Sequence, residues 1–203
     1  MSADLRRVPY GPGMSLRDRK RARTRQALVE AAADLFERHG YGRTTIADIA
    51  AAAEIGSRTF FAYFETKEQL LFPQFDPRVT AVLQAIETRT PAETPARVLL
   101  RALDDESIGD EADNAMAQLR LRLMDDVPAV QARAMRLQLE AQRQIVAALI
   151  GAYPGSDEVE TASLVGGFVG AVAAAFHVLG DRGDVADRMR RVRVAVARVI
   201  DPT

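Results

Sequence analysis

The chain of 203 residues has no cysteine and only two histidines, His39 and His177, far apart in sequence. A disulfide framework and cysteine-based zinc or redox sites are excluded, and no metal centre is expected. Also missing are a glycine-rich phosphate loop, a serine elbow and a paired His/Cys nucleophile, so neither catalysis nor a bound cofactor is expected. The carboxylate runs Asp104-Asp105-Glu106 and Asp125-Asp126 read as loops and helix ends. No segment alternates apolar and polar residues in the manner of a half-buried strand. The first residues, with Pro9 and Pro12, hold no apolar core of a secretory signal. Residues 1–14 read as a flexible arm, and a cytoplasmic location is expected.

Net charge is low as well, at −1, but the sum hides its distribution. Residues 1–72 carry 12 Lys/Arg and 9 Asp/Glu, a net of +3, whereas residues 73–203 carry 15 and 19, a net of −4. The basic excess gathers in Arg17, Arg19, Lys20, Arg21, Arg23 and Arg25, with Asp18 as the one acid among them. A short basic stretch at one end of an acidic chain is the footprint of phosphate contact, although a solvated helix face gives the same pattern. From Thr161 to Gly180 no residue is charged, close to the ~20 residues a membrane span needs. Gly, Ala and Ser dominate that stretch and it carries His177, so a buried helix of a soluble bundle is expected, and no membrane partner.

What is present is helical periodicity throughout. Leu28, Ala32, Leu35 and Phe36 form one face of a helix from Leu16 to His39, stopped by Gly40 and Gly42. Thr45 caps a short second helix, with Asp48 in the capping-box position and Ile46, Ile49, Ala50 and Ala53 on its apolar face. The tight connection Glu54-Ile55-Gly56 leads to a third helix, Ser57 to Phe64, and Lys67 to Phe72 begins a fourth. Pro73 and Pro77 mark a boundary between a domain at 15–72 and another at 76–203. Beyond it helices are expected at Asp76 to Arg89, after the cap Thr94 with Pro95 in the first turn, at Asp110 to Asp126, at Pro128 to Gly151, and, a long one, from Ser156-Asp157 to Gly180. A last helix, capped by Asp184, carries the stripe Val185, Met189, Val192, Val196, Val199 and Ile200. The expected fold class is all-α, about nine helices without a sheet.

Short helix, tight turn, short helix with interlocking apolar residues is a helix-turn-helix. Ile46, Ile49 and Ala50 can pack on Ile55, Phe60 and Phe64, leaving Ser57, Arg58 and Thr59 where a recognition helix presents base-reading residues to the major groove. Arg58 suits a bidentate contact to guanine. Thr45, Tyr63 and Lys67 stand at helix ends, where hydroxyls and an ammonium can hold phosphates. His39, at a helix C-terminus, complements the dipole.

The run Thr44-Thr45-Ile46-Ala47-Asp48-Ile49-Ala50, followed by Ile55-Gly56-Ser57-Arg58-Thr59-Phe60-Phe61-Ala62-Tyr63-Phe64-Glu65-Thr66-Lys67-Glu68, resembles the DNA-binding domain of TetR-family repressors. The resemblance spans about Leu16 to Leu71. It implies that Thr44, Thr45, Thr59, Tyr63 and Lys67 belong to the DNA-binding surface, most of them as phosphate anchors, with Ser57, Arg58 and Phe61 facing bases. Three positions depart from the family pattern. Glu54 stands where glycine is frequent in the turn, which predicts a non-glycine residue in a strained conformation. Gly56 replaces the usual serine cap, and Phe61 replaces the more frequent tyrosine. Near Leu119–Met124 and Pro128–Arg133 the chain is also similar to actinobacterial members with an acyl-CoA-like ligand domain.

One recognition helix makes too few contacts for selective binding, so helix-turn-helix proteins pair on two half-sites. Ala162, Gly166, Gly170 and Ala174 recur every four residues and, with Met189, Val192 and Val196 of the last helix, form the expected homodimer surface. The resemblance places dimerisation in the same two helices. A ligand pocket is expected among Leu103, Met116, Leu119, Leu123, Met135, Leu139, Phe168, Phe176 and His177, although such Met-rich stripes are more often plain core. The family implies a repressor whose ligand pivots the DNA-binding heads apart, with operator DNA, a second copy and a small-molecule effector as partners. An architectural DNA binder without a ligand is the rival reading; it calls for broad positive charge, which the acidic C-terminal part lacks.

Overall fold

The computed structural model describes residues 15–73, 76–113, 115–180 and 183–201. The arm expected at 1–14 lies outside them. Among the described residues there are ten α-helices, one 3-10 turn and no strand. The chain divides into two compact units, one through Leu70 and one from Leu71 onward.

The first unit holds α1 (Leu16–His39), α2 (Ile46–Ala52) and α3 (Ser57–Phe60). Ser15 caps α1 by accepting the Asp18 N–H at 3.2 Å, and Gly40, at φ 80°, ends it where an L side chain is disfavoured. Leu28, Ala32 and Phe36 are buried on one face of α1, and Ile49, Ala50, Phe60, Phe64 and Leu70 complete the core. The third helix is shorter than the expected Ser57–Phe64. Regular α-helix stops at Phe60, and the chain continues in turns tied by Ala62 N–H to Thr59 O (3.1 Å) and Tyr63 N–H to Phe60 O (2.9 Å). Lys67–Leu71, expected to begin a fourth helix, is a 3-10 turn.

The second unit holds α4 (Pro77–Glu87), α5 (Pro95–Ala102), α6 (Glu106–Asp113), α7 (Ala115–Asp126), α8 (Pro128–Ala152), α9 (Glu158–Leu179) and α10 (Val185–Ile200). The capping signals act as their chemistry dictates: Asp76, Thr94, Asp157 and Asp184 each accept a first-turn N–H, and Pro77, Pro95 and Pro128 occupy first-turn positions where no N–H is needed. The expected helix Asp110–Asp126 is two, α6 and α7, and α6 starts earlier than expected, at Glu106, where Asp105 accepts the Ser107 N–H (2.9 Å) and hydroxyl (2.6 Å). The core lies where α4, α5, α6, α8, α9 and α10 meet, around Val98, Leu99, Ile108, Leu149, Val165, Val192 and Val196. Polar ties close its ends: Arg101 donates to Ala85 O (2.8 Å) and pairs with Glu93 (2.7 Å), while Arg89 donates to Ala152 O (2.5 Å). Arg193 pairs with Asp104.

Two expectations for this unit are corrected. Val192 and Val196 have no exposed surface and belong to the chain's own core, so they do not form the outward dimer face; Met189 is partly buried against the same core. The exposed residues of α10 include Arg191, Val194, Ala195, Arg198 and Val199. Nor are the nine pocket residues gathered around one space. Leu103, Phe168 and Phe176 are core, and Met116, Leu119 and Leu123 are half-buried on α7. Met135 and Leu139 are 61% and 50% exposed on α8. His177 is also exposed, 3.7 Å from the Asp125 carboxylate. A shallow groove of about 460 Å³ runs elsewhere, along Ala81, Gln84, Thr88, Arg101 and Asp104.

Candidate nucleic-acid interface

The turn between α2 and α3 sets the geometry of the site. Thr45 and Asp48 form a reciprocal capping box: the Thr45 hydroxyl accepts the Asp48 N–H (3.2 Å), and the Asp48 carboxylate accepts the Thr45 N–H (2.9 Å) and hydroxyl (2.7 Å). Hydrogen bonds from the Thr45 hydroxyl and backbone N–H hold the Asp48 carboxyl below its ordinary pKa. At the other end of α2 the chain reverses at Glu54, with φ 56°. The Glu54 N–H donates to Ala51 O (3.0 Å) and the Ile55 N–H to Ala50 O (2.9 Å), the paired bonds of a Schellman ending. The strained non-glycine turn expected from the sequence is thus present. Gly56 caps α3 without a side-chain hydrogen bond.

This turn buries Phe60 and Phe64, whose rings lie 5.7 Å apart, and leaves the other face of α3 open. Ser57, Arg58, Thr59 and Phe61 are all exposed, Phe61 at 56%, its ring edge-on to Phe60. All four side chains expected to read bases or hold phosphate on α3 and just past its end are therefore open to solvent. Tyr63 is half-buried, with the Arg21 guanidinium 5.7 Å from its ring centre.

Thr44 and Lys67 are placed differently from the expectation. Thr44 is 1% exposed, and its hydroxyl is turned to the carbonyls of Gly40 (3.0 Å) and Leu35 (3.2 Å), bracing the loop after α1. The Lys67 ammonium donates to Tyr41 O (2.8 Å) and Thr44 O (2.9 Å) and lies 4.2 Å from the Tyr41 ring centre. It is bonded to carbonyls of the head instead of standing free for phosphate. The Tyr41 hydroxyl donates in turn to Glu68 (2.5 Å). Burial, then the bonded Glu68 carboxylate, raises the Tyr41 pKa. Thr45 stays exposed, but its hydroxyl is engaged in the capping box.

Residues that the motif did not single out complete the head. Arg25 of α1 donates from Nη1 to Tyr63 O (3.1 Å), and its guanidinium lies over the Phe64 ring at 4.1 Å. Arg21, one turn earlier, reaches Ala62 O at 3.5 Å. Burial, then the charge of Arg21, lowers the Arg25 pKa, but guanidinium remains charged. The signal was in the sequence. Arg21 and Arg25 precede Leu28 and Ala32 at i−7 and i−3, i−11 and i−7, which extends the buried stripe of α1 backwards onto two arginines.

Comparison with known proteins agrees with this geometry. Residues 28–72 match the bacterial regulatory proteins of the tetR family, and residues 93–201 match the MftR C-terminal domain. The chain is 36% identical over 160 residues to the HTH-type transcriptional regulator TcmR of Streptomyces glaucescens, covering 75% of this chain and 69% of that protein. An HTH-type transcriptional repressor of Mycobacterium tuberculosis is 32% identical over 103 residues, 51% of this chain and 48% of that one. Among solved structures, the TetR-family repressor FadR of Thermus thermophilus, in complex with lauroyl-CoA, superposes with a TM-score of 0.53 at 18% identity, covering 87% of this chain and 94% of that chain. That likeness shows a shared fold. The chain belongs to the tetR family of bacterial regulatory proteins, with a C-terminal domain of the MftR type, and is a helix-turn-helix transcriptional regulator.

Proposed function

We propose that the protein is an operator-binding repressor that acts in the cytoplasm as a homodimer and leaves its operator when a small molecule occupies the C-terminal unit. The observation that carries the reading is the open face of α3: Ser57, Arg58, Thr59 and Phe61 exposed together while Phe60 and Phe64 lock the helix from behind. Arg58 is the base-reading residue, Ser57 and Phe61 flank it, and Thr59, Tyr63 and Thr45 border the duplex backbone.

The outward faces of α9 and α10 support pairing of two copies. Val159, Ala162, Ala174 and Val178 of α9 are exposed, and a Cβ added at Gly166 or Gly170 would meet nothing within 4 Å. The chain itself gives no reason for glycine at those two positions. Close approach of another helix does. Glu158–Leu179 is also, among the described residues, the one helix long and apolar enough to cross a membrane. A protein partner accounts for its small-residue stripe better than lipid, which favours larger apolar side chains. For the effector, acyl-CoA thioesters come first in a screen, on the sequence likeness in α7–α8 and the lauroyl-CoA complex of the FadR neighbour. The acidic C-terminal unit disfavours the rival reading of an architectural binder.

Fluorescence anisotropy on DNA from immediately upstream of the protein's own gene, against scrambled DNA, tests the reading. Selective binding is expected, weakened by ~1–3 kcal/mol in Arg58→Ala. Equal weak binding of wild type and variant to both duplexes, repeated on sites from a genome-wide selection, overturns it. If every compound that demonstrably binds leaves operator affinity unchanged, the effector part fails alone.

A further inference from the structure

The recognition helix is too short to hold itself. Regular α3 spans only Ser57–Phe60, so the carbonyls just beyond it have no next helical turn to bond them. Two of them are met from outside: Tyr63 O by Arg25 Nη1 at 3.1 Å, and Ala62 O by Arg21 Nη2 at 3.5 Å, both from α1. The Arg25 guanidinium also lies over the Phe64 ring at 4.1 Å, and Phe64 is buried beside Phe60, the last residue of α3. A planar cation that bonds a carbonyl at its edge and stacks on a ring with its face fixes both distance and rotation, which an ammonium does less well.

Resting on the DNA-binding reading above, we infer that Arg25 is a positioning residue for sequence readout: it sets the orientation of the Ser57–Phe61 face without itself touching DNA. Arg25 belongs to the basic stretch that would ordinarily be assigned to phosphate, and the two roles separate in salt dependence. A lost phosphate contact lowers the slope of log affinity against log salt by about 0.9, and it weakens binding to any duplex. A lost positioning contact weakens only the binding that depends on base contacts, and the slope stays.

The test is anisotropy with operator and scrambled duplexes across a salt series, using the full chain with Arg25→Met, which keeps an apolar stem against Phe64 and removes the charge. Operator affinity is expected to fall about tenfold, the order of one misread base pair, while scrambled-DNA affinity and the salt slope match wild type. A parallel loss on both duplexes with a shallower slope would make Arg25 a phosphate ligand and overturn the inference; so would wild-type behaviour throughout. If Arg25→Met does not fold by circular dichroism, Arg25→Lys is read the same way: a smaller, operator-only loss of about threefold is expected, since lysine restores one hydrogen bond but not the planar stack. A lysine variant indistinguishable from wild type, or equally weak on both duplexes, overturns it. Wild type without operator preference would instead sink the DNA-binding reading beneath it, and the scrambled-duplex arm keeps the two failures apart.

Discussion

Glu54 sits at φ 56°, in the left-handed region where a Cβ crowds the following carbonyl oxygen. The Schellman ending of α2 demands that conformation whatever residue stands there. Its side chain is exposed, so replacement by glycine removes a backbone penalty and no buried contact. Glu54→Gly is expected to stabilise the protein by about 0.5–1 kcal/mol, the gain being partly offset by the greater freedom of glycine in the unfolded chain. Thermal denaturation checks it: an unchanged or lower Tm would mean that the Glu54 side chain stabilises the turn in some other way. Thr44 and Thr45 show a different kind of residue-scale outcome. They are neighbours of the same type, yet one hydroxyl is buried against two carbonyls and the other caps α2 at the surface. The motif assigns both to DNA; only the direction in which each leaves the turn separates them. Lys67 likewise satisfies its ammonium on Tyr41 O and Thr44 O, which a string of residues gives no means of anticipating.

At the scale of elements, α9 and α10 each have two apolar faces and the fold uses one of each. In α9, Thr161, Val165, Phe168, Val172, Phe176 and Leu179 face the core at helical spacing, and the small-residue stripe faces out. In α10, Val192 and Val196 face in while Val194 and Val199 face out, at 48% and 57% exposed. Both faces of α10 contain valines, so the choice between them depends on how α10 rotates against α9, which long-range contacts decide. If the outward α9 face meets a second copy, a large side chain there must prevent close approach. Gly170→Leu is expected to convert the dimer to a folded monomer in analytical ultracentrifugation. A Cβ at Gly170 meets nothing within 4 Å, and replacing a helical glycine favours the helix by up to ~1 kcal/mol. An undiminished dimer would place the interface elsewhere.

At the scale of the whole molecule, the two units differ in charge but share a dependence on ionised carboxylates at helix starts. Hydrogen bonds from the Thr45 hydroxyl and N–H hold the Asp48 carboxyl below its ordinary pKa. For Asp76, burial raises the pKa, but the hydrogen bonds and charge of Arg78 (2.9 Å from Nε, 2.6 Å from Nη2) outweigh it and the net shift is downward. Both folded-state pKa values are depressed, so the stability each carboxylate contributes is fully present above its unfolded pKa of about 3.9 and is lost as pH falls through the lower folded value. The Tm is therefore expected to be level from neutrality to about pH 5 and to decline below about pH 4. Asp48→Asn and Asp76→Asn are each expected to make that decline shallower. A Tm that rises below pH 4 would contradict the assignment.

The sequence by itself determined much of what depends on near neighbours along the chain, though not where α3 ends or how α6 and α7 divide. It specified the helical class, the caps at Thr45, Thr94, Asp157 and Asp184, the αL turn at Glu54 and the family motif from Thr44 to Glu68, because capping, turn chemistry and periodicity act over a few residues. It also put Phe60 and Phe64 on one side and Ser57 and Phe61 on another, each pair four residues apart, since helix geometry fixes which residues share a side. Tertiary structure decided what depends on contacts between distant segments: that Thr44 and Lys67 turn inward, that Arg25 holds the end of α3, that Val192 and Val196 lie in the core, and that Met135 and Leu139 stand in solvent. The physical reason is the same in each case. An amphipathic or twice-apolar helix states its period but not its rotation, and a polar side chain states what it can bond but not which partner the fold brings within reach.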